Sequence, residues 1–366
     1  MKVALVYRDA MGRGGYPLDV RCLAESLVRH GHEVVIYCHE RYGNRRDSAL
    51  GCYDGHNRSY RVHPLGDMCD MDFDIIHFIG ILDPVQNRRL AEVTRHSRTV
   101  VVSPLTQLMP FHLKRRAWKK YPYLHLIRPM LRRVRLFHVF DDRERGSVET
   151  WLGREIDIFT AGLGLPEKSK VSARQVVARP RQSTGEPMTL LYFGRNDVYQ
   201  KGLDILIDGF ARVAQTLKGC RLIIAGRPWK GSTKRLEKAI KLSGAGGSIR
   251  VVGPVSENRK YELLANASYL IYLSRWDGPP RPIRAALDIG TPVIISPETN
   301  MASMVNGCNA GIVVELNAEQ VAQGIQMVVE NGEMRAKHSR GAKMARNQLE
   351  WDRVAEAYIA GYRVLG

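Results

Sequence analysis

The strongest constraint on the fold is an alternation of short β-rich apolar runs with apolar residues at helical spacing. Near the start, the run KVALVY is followed by a glycine loop and then by the helical pattern of Leu18, Leu23, Leu27 and Val28. A second apolar run, VVIYC, comes next, and FDIIHFI and TVVVS follow later. Strand, helix and strand in this order predict a βαβ unit, and therefore a parallel sheet with right-handed crossovers.

The alternation starts again after a polar stretch. Strands are predicted at MTLLYFGR, CRLIIAGR, IRVVGPV, YLIYLS and PVIIS, with helices between them. This pattern predicts a second doubly wound α/β domain, and a chain of 366 residues is long enough for two cores. We predict an N-terminal domain over 1–167, a linker over 168–187, a C-terminal domain over 188–345, and a helix over 346–366 that can pack back on the N-terminal domain. The two domains are expected to face each other across a cleft.

Composition excludes several classes of protein. No apolar run approaches the roughly 18 to 20 residues that a membrane span needs, and the first strand meets Arg8 and Asp9 too soon for a signal-peptide core. The six cysteines form no Cys-x-x-Cys pair, which argues against a zinc cage and a disulfide framework. Histidines such as His77 and His112 lack metal-ligand spacing, so no metal is predicted. We expect a cytoplasmic protein with reduced thiols.

The positive charge is concentrated in one region. The chain carries a net +18, and residues 84–135 contain thirteen Lys or Arg and one acid, Glu92. Within this region, residues 111–135 interleave cations with aromatic and aliphatic side chains, which is typical of a surface that docks on anionic lipid. A half-buried helix with solvated cations is the alternative. Nucleic acid is a less favoured partner because no nucleic-acid motif accompanies the pattern.

Two loops at predicted strand ends suit phosphate. In GRGGYPLDVR, glycine amides and a helix N-terminus favour an anion, although a plain tight turn fits the same residues. In FGRNDVYQKGLDILIDGF, Arg195 ends a strand and Lys201 precedes a helix. Two cations one loop apart can stabilise a diphosphate both when it is bound and when it leaves. Taken alone, this motif is better explained by two solvated loop charges, and it favours a diphosphate only in combination with the next motif. Both side chains are expected to be exposed.

A third stretch, WDGPPRPIRAALDIGTPVI, places Asp277 in a strand-to-helix loop and Gly-Thr-Pro before the next strand. Together with GG, RHGHEVVIY, DIIHF, FGRNDVYQKGLDILIDGF, KYELLANA and the late Trp351, it resembles glycosyltransferase family 4, the retaining enzymes of GT-B fold. The resemblance covers nearly the whole chain. It implies two Rossmann-like α/β domains, with the acceptor bound mostly in the first and the donor in the second.

The resemblance also implies a donor and the residues that bind it. The donor is a nucleotide-diphosphate sugar, and no separate cofactor is expected. Asp277 stands where the family's first Glu contacts hydroxyls of the donor sugar, and Arg195 and Lys201 stand where a cation pair binds the diphosphate. These three are the predicted catalytic residues. The predicted substrate-binding residues are Gly14 and Gly15 over the phosphates, Gly253 and Val255 near the base, and Gly226, Arg227, Gly278, Arg281, Ile283 and Asp288.

The chain departs from the family at two positions. Ala285 replaces a Glu that grips the ribose, and Leu105 occupies the place where many members have a histidine beside the sugar. Loss of a binding carboxylate costs affinity more than chemistry, about 1.5 to 3 kcal/mol for a charged hydrogen bond, so an active enzyme is still expected. Asp288 is a candidate to reach the ribose instead, and Arg281 to replace amide donors that nearby prolines lack. A site without the carboxylate also makes a thymidine-diphosphate sugar a candidate donor.

The sequence therefore predicts a metal-independent retaining glycosyltransferase. It would move a sugar from a nucleotide-diphosphate donor to a hydroxyl of a glycan, a lipid-linked acceptor or a small molecule, at the cytoplasmic face of the inner membrane if the basic segment docks there. Two alternatives remain open. One is a non-catalytic protein of the same fold that binds a nucleotide sugar or a partner, and the other is a sugar-nucleotide epimerase.

Overall fold

Two compact units divide the chain. Unit 1 comprises Met1–Pro166 and Glu350–Gly366, and unit 2 comprises Glu167–Leu349. The computed structural model describes residues 1–12, 15–39, 60–68, 72–97, 99–153, 156–165, 188–217 and 219–365. The linker predicted over 168–187 lies outside the described residues. The boundary predicted at residue 346 lies inside a helix, and the units divide after Leu349.

Unit 1 is built on a seven-stranded sheet of order β3-β2-β1-β4-β5-β6-β7, in which every pairing is parallel. The strands are β1 (Lys2–Val6), β2 (Glu33–Cys38), β3 (Arg61–Pro64), β4 (Ile75–Ile79), β5 (Val100–Ser103), β6 (Leu136–Val139) and β7 (Asp157–Thr160). The helices before the linker are α1 (Gly15–Arg29), α2 (Pro84–His96), α3 (Pro110–Lys114), α4 (Ala117–Leu131) and α5 (Asp142–Leu152). The basic segment 111–135 thus contains most of α3 and all of α4.

Unit 2 is built on a six-stranded parallel sheet of order β10-β9-β8-β11-β12-β13. Its strands are β8 (Thr189–Phe193), β9 (Arg221–Ala225), β10 (Ile249–Val252), β11 (Tyr269–Tyr272), β12 (Val293–Ile295) and β13 (Gly311–Val313). Its helices are α6 (Leu203–Ala214), α7 (Ser232–Ser243), α8 (Glu257–Asn266), α9 (Arg281–Asp288), α10 (Ala302–Gly307), α11 (Ala318–Glu330) and α12 (Gly332–Gln348). The predicted class, two parallel-sheet Rossmann-like α/β domains, is confirmed.

Both faces of the unit 1 sheet are buried at its centre, which explains why β1, β2, β4, β5 and β6 are apolar at most positions, whereas the outer strands β3 and β7 are more exposed and more polar. On one face, β-strand residues pack with Leu90 and Val93 of α2 and Leu124 and Ile127 of α4. The other face is covered by α1 and by the C-terminal helix α13 (Trp351–Tyr362). None of the described helices is long and apolar enough to span a membrane.

The C-terminal helix α13 lies close to its neighbours in unit 1. The Ser26 hydroxyl donates to the Trp351 carbonyl oxygen at 3.0 Å. Glycines permit the close approach, because a Cβ at Gly164 would lie 2.6 Å from the Trp351 ring and one at Gly361 would lie 2.3 Å from the Phe159 ring. Substitution at either glycine would force the helix away from the sheet.

A buried chain of hydrogen bonds joins α13 to three strands. Its links are Tyr362 Oη to His77 Nδ1 (2.8 Å), His77 Nε2 to Ser103 Oγ (2.5 Å), Ser103 Oγ to His138 Nδ1 (2.7 Å) and His138 Nε2 to the Ala161 carbonyl oxygen (2.9 Å). The carbonyl can only accept, so with neutral rings every hydroxyl and imidazole donates toward Ala161. Burial lowers the pKa of His138 to about 4 and that of His77 well below its usual value, which keeps both rings neutral.

Removing the first donor of this chain should destabilise unit 1. We expect Tyr362→Phe to lower the free energy of unfolding by about 1 to 3 kcal/mol at pH 7.5, because His77 Nδ1 is then buried without a donor. Urea unfolding measures the change. Tyr121→Phe, which removes a hydroxyl from a ring that is 39% exposed, is the control and should change stability little. Equal stability of the two variants would contradict the directional chain.

Candidate functional site

The strand order of unit 2 brings two loops together at one edge of the sheet. β8 lies at the centre beside β11, with β9 and β10 on one side and β12 and β13 on the other, so the order reverses between β8 and β11. Ligands of doubly wound sheets bind beyond the carboxyl ends of the strands at such a reversal. The loop after β8 carries Arg195 and Lys201, and the loop after β11 carries Asp277. The predicted catalytic residues therefore lie on adjacent loops.

Lys201 and Asp277 form an ion pair between these loops. Lys201 Nζ binds Asp277 Oδ2, and the two side chains are 8% and 19% exposed. The Tyr272 hydroxyl donates to the same oxygen at 3.0 Å. The expectation that Lys201 is exposed is wrong, because the adjoining turn at Gly202 packs tightly against Leu273. A Cβ placed on Gly202 would lie only 3.2 Å from the Leu273 carbonyl oxygen.

Two stacked tyrosines lie next to the ion pair of Lys201 and Asp277. The rings of Tyr192 in β8 and Tyr272 in β11 lie 5.6 Å apart with an interplanar angle of 14°. Burial raises the pKa of both hydroxyls well above the ordinary value, so both remain neutral donors. The Tyr192 hydroxyl donates to the Arg195 carbonyl oxygen at 2.7 Å, which fixes the backbone of the loop after β8.

Arg195 is oriented by groups that the sequence did not single out. Its guanidinium lies 4.2 Å from the centre of the Trp229 ring, and Trp229 follows β9. One of its terminal nitrogens donates to Gln200 Oε1 at 2.5 Å. Gln200 in turn donates to the Trp276 carbonyl oxygen at 3.3 Å, which links the same two loops again. The Arg195 side chain is 31% exposed, so its charge is accessible to an anion.

The Asp277 backbone is held by the turn after β12. Its amide donates to the Glu298 carbonyl oxygen at 3.0 Å, and the Asn300 side-chain amide donates to its carbonyl oxygen at 2.5 Å. Asn300 has a φ of 54°, a left-handed conformation that asparagine tolerates better than most residues. The carboxylate is therefore fixed through the backbone as well as through Lys201 and Tyr272.

Several other predicted residues lie at the same edge. Gly226 follows β9 and must be glycine, because its φ is 147° and a Cβ would lie 1.6 Å from the Gly194 carbonyl oxygen. Arg227 and Gly253 are exposed after β9 and β10, and Val255 is half-buried. Gly278 is buried in the Asp277 loop, and Arg281 is a half-buried residue at the start of α9.

Two predicted residues of α9 have other contacts. Asp288 does not replace the missing carboxylate, because Arg346 of α12 binds it at 2.9 Å and its side chain is only 1% exposed. Ile283 is 0% exposed and packs in the core, so only its backbone can serve a ligand. Ala285 is also buried. The structure thus removes the compensation that the sequence suggested for Ala285.

In unit 1, the loop after β5 has an unusual backbone. Leu105 and Thr106 have φ values of 55° and 61°, and consecutive left-handed residues without glycine are strained. Buried Glu144 stabilises this turn by accepting from the Thr106 amide at 2.5 Å and the Phe140 amide at 3.0 Å. Burial raises the pKa of Glu144 to about 7. Gly15 begins α1 at the same sheet edge, whereas Gly14 lies outside the described residues.

The unit 2 arrangement can hold a phosphorylated ligand. Arg195 offers a partly exposed guanidinium, Lys201 adds a second cation within the adjoining ion pair, and Asp277 offers a carboxylate oxygen for hydroxyl groups. These are the chemical means for binding a diphosphate that is linked to a sugar.

Solved structures superimpose on nearly the whole chain. The chain superimposes on a sucrose-phosphate synthase from Thermosynechococcus elongatus with a TM-score of 0.73 and 17% identity, covering 100% of this chain and 99% of that one. It superimposes on the Anabaena protein HepE, in complex with UDP and glucose, with a TM-score of 0.68 and 17% identity, covering 98% of each chain. The fold class is therefore GT-B.

Sequence comparison agrees with the fold. Residues 177–344 match the family described as "Glycosyl transferases group 1". The phosphatidyl-myo-inositol mannosyltransferase of Mycobacterium tuberculosis is 25% identical over 211 residues, which span 55% of this chain and 53% of that protein. The predicted resemblance is confirmed, and the chain is a protein of GT-B fold similar to glycosyltransferase family 4.

The buried ion pair gives a direct test of the unit 2 site. We expect Lys201→Met to lower the free energy of unfolding by about 3 kcal/mol, because it leaves the Asp277 carboxylate buried without its cation. The double variant Lys201→Met/Asp277→Asn should regain most of this loss. Chemical unfolding of the singles and the double gives the coupling energy.

The matched control is the surface pair of Arg212 and Asp208, whose side chains are 52% and 58% exposed. Arg212→Met should cost about 0 to 1 kcal/mol, as exposed pairs usually do. If Lys201→Met is as harmless as Arg212→Met, the pair does not organise the loops.

Proposed function

We propose that this protein is a retaining glycosyltransferase that uses a nucleotide-diphosphate sugar as its donor. The observation that carries the proposal is the convergence of Arg195, Lys201 and Asp277 at the reversal between β8 and β11. The match of residues 177–344 to a glycosyltransferase family supports it. Retention of anomeric configuration is inferred from the likeness to family 4.

Each residue has a distinct role in the proposed reaction. The anomeric carbon of the sugar loses its bond to the diphosphate oxygen and gains one to the acceptor oxygen, the acceptor's hydroxyl proton passes to the leaving diphosphate, and negative charge builds on that group as the bond breaks. Arg195 and Lys201 stabilise this charge, and because both are held by fixed partners they need little reorganisation. Asp277 accepts a hydrogen bond from a sugar hydroxyl with the carboxylate oxygen that Lys201 does not hold. We propose that no metal is required, since the two cations supply the positive charge.

The acceptor hydroxyl belongs to a substrate bound mostly by unit 1. The related mannosyltransferase acts on phosphatidyl-myo-inositol, as its name states, and the related HepE structure contains UDP and glucose. These names support a sugar or lipid-linked acceptor for this chain. Asp288 is bound by Arg346, so it does not supply a carboxylate for the ribose hydroxyls. Thymidine-diphosphate sugars therefore remain candidates beside ribonucleotide sugars in any donor screen.

The role of Arg195 can be separated from stability. We expect Arg195→Gln to lower kcat for donor turnover about 100-fold, because it removes a charged donor to the leaving group. Its half-exposed position should leave unfolding nearly unchanged. The measurement is release of nucleoside diphosphate from the sugar nucleotide that gives the largest thermal shift. Arg250→Gln, an exposed charge on β10, is the control.

The outcomes of this assay also separate the alternatives. Donor binding without hydrolysis or transfer to any acceptor would identify a non-catalytic binding protein. Conversion of one sugar nucleotide to its epimer, without release of nucleoside diphosphate, would identify an epimerase. Undiminished release by Arg195→Gln would show that the diphosphate does not bind where we place it.

We further propose that α4 docks on an anionic membrane. Leu124, Ile127 and Leu131 face the unit 1 core, whereas Trp118 is 74% exposed and Leu126 is 77% exposed. The exposed stripe of α4 consists of Trp118, Tyr121, Pro122, His125, Leu126 and Pro129, with one exposed cation, Lys119, beside Trp118. An apolar stripe of this kind can enter the headgroup region of a bilayer.

Cations flank the stripe at both ends. Lys114, Arg115 and Arg116 precede α4, and Arg132 and Arg133 follow it, all of them exposed. Stable membrane association generally needs two signals, and an apolar stripe with flanking cations supplies both. The surface therefore matches anionic lipid, and it would place unit 1 near a lipid-linked acceptor on the cytoplasmic side.

Vesicle binding tests this surface. We expect Trp118→Ser/Leu126→Ser to weaken binding to phosphatidylglycerol vesicles about tenfold, because two inserting side chains are lost. Raised salt should weaken binding of the unchanged protein as well. Leu242→Ser is the matched control, since Leu242 is 75% exposed on α7 of unit 2. Equal binding to neutral and anionic vesicles would contradict the proposal.

A further inference from the structure

A second charged pocket lies at the carboxyl edge of the unit 1 sheet, and no step of the proposed reaction uses it. It is bounded by His39 after β2, by the turn after β3 at Leu65, and by one face of α2. Its volume is about 380 Å³, enough for one or two sugar rings. We call it the α2 pocket.

One face of α2 supplies most of the charged side chains that line the α2 pocket. Val85, Arg88, Arg89 and Glu92 line the pocket, and their spacing of three, four and seven residues places them on one side of the helix. This face differs from the one that carries Leu90 and Val93 into the core. The pocket is therefore separate from the packing of α2 against the sheet.

Arg89 has a structural part in the pocket. It donates to Glu92 Oε2 at 2.6 Å and to the Gly66 carbonyl oxygen at 3.2 Å. These bonds connect α2 to the turn after β3 and form one wall. They also neutralise Glu92, so this acid repels an incoming anion less than a lone carboxylate would.

Arg88 is available to a ligand, and His39 is another of the residues that line the α2 pocket. Arg88 is exposed and forms no ion pair with any residue in the described part of the chain. His39 Nδ1 is buried and finds no hydrogen-bond partner among the described residues. An exposed guanidinium that lines a pocket can bind the oxygens of a phosphate or a carboxylate.

We propose that the α2 pocket binds the anionic group of the acceptor. The acceptor part of this inference rests on the proposed function, whereas anion binding itself does not. Arg88 binds the anion directly, and Arg89 acts as a positioning residue. The side chains of Leu65 and Val85 offer apolar contacts to the face of a sugar ring. The protein thus selects an acceptor that carries a phosphate or a carboxylate over a neutral one.

Calorimetric titration of the full chain with three sugars tests the inference. Glucose 6-phosphate and glucuronate carry the two candidate anions, and glucose carries none. We expect Arg88→Gln to weaken binding of the preferred anionic sugar about tenfold, since one charge-assisted hydrogen bond is lost. The arm with the larger effect identifies phosphate or carboxylate as the group. Anion binding at Arg195 and Lys201 is common to all variants and cancels in the comparison.

Two further variants make the test specific. Arg95→Gln removes an equal charge from the last turn of the same helix, outside the pocket, and should leave anion binding unchanged. Glu92→Gln removes the acid of the pocket and should tighten anion binding. Equal effects of Arg88→Gln and Arg95→Gln, or weaker binding in Glu92→Gln, would overturn the proposal. If the variants show the expected changes in anion binding but the protein turns over no sugar nucleotide, the proposed function is wrong and the α2 pocket is still an anion site.

Discussion

The organisation of unit 2 depends on an ion pair between Lys201 and Asp277, which are 76 positions apart in the chain. Neither loop could hold its charge in this largely buried place alone, because an uncompensated buried charge is costly. The parallel sheet brings the loops together, and the pair then fixes them against each other. Other groups hold the same two loops in place. They are the stacked tyrosines Tyr192 and Tyr272, Gln200, and the turn after β12.

The side chain of Arg195 is also held by its neighbours. Arg195 lies on Trp229 with its terminal nitrogen on Gln200, so its orientation is set by neighbours rather than by the ligand. Unit 1 shows a comparable arrangement, in which Glu144 holds the strained turn at Thr106. Such strain persists only where the surroundings determine it, and it is common at functional sites.

Much of the fold could be predicted from the sequence because the central strands are continuous apolar runs with helices between them. The edge strand β3 (RVHP) and the strand β7 (DIFT) are too short and too polar to stand out, and β13 has only three residues. Arg195, Lys201 and Asp277 could be predicted as site candidates because each lies in a local motif at a strand end, and the structure places them on adjacent loops. Their partners Trp229 and Tyr272 could not be predicted, because these residues come close to Arg195 and Asp277 only when the strands assemble in the observed order.

The errors have the same origin. Asp288 lies at the right helical spacing from Ala285, yet its partner Arg346 is 58 positions further on and cannot be found from spacing. Likewise, nothing local indicates that Gly202 packs against Leu273 and buries Lys201. Local pattern therefore predicts which loops lie at the carboxyl edge of the sheet, whereas long-range packing decides which side chains on them are exposed.

A crystal structure of the protein with its preferred sugar nucleotide tests the central claim most directly. The claim is that the diphosphate binds where the loops after β8 and β11 meet. We predict phosphate oxygens within hydrogen-bond distance of Arg195 and Lys201, and a sugar hydroxyl on the Asp277 carboxylate. A diphosphate bound elsewhere on unit 2, with the pair of Lys201 and Asp277 untouched, would contradict it.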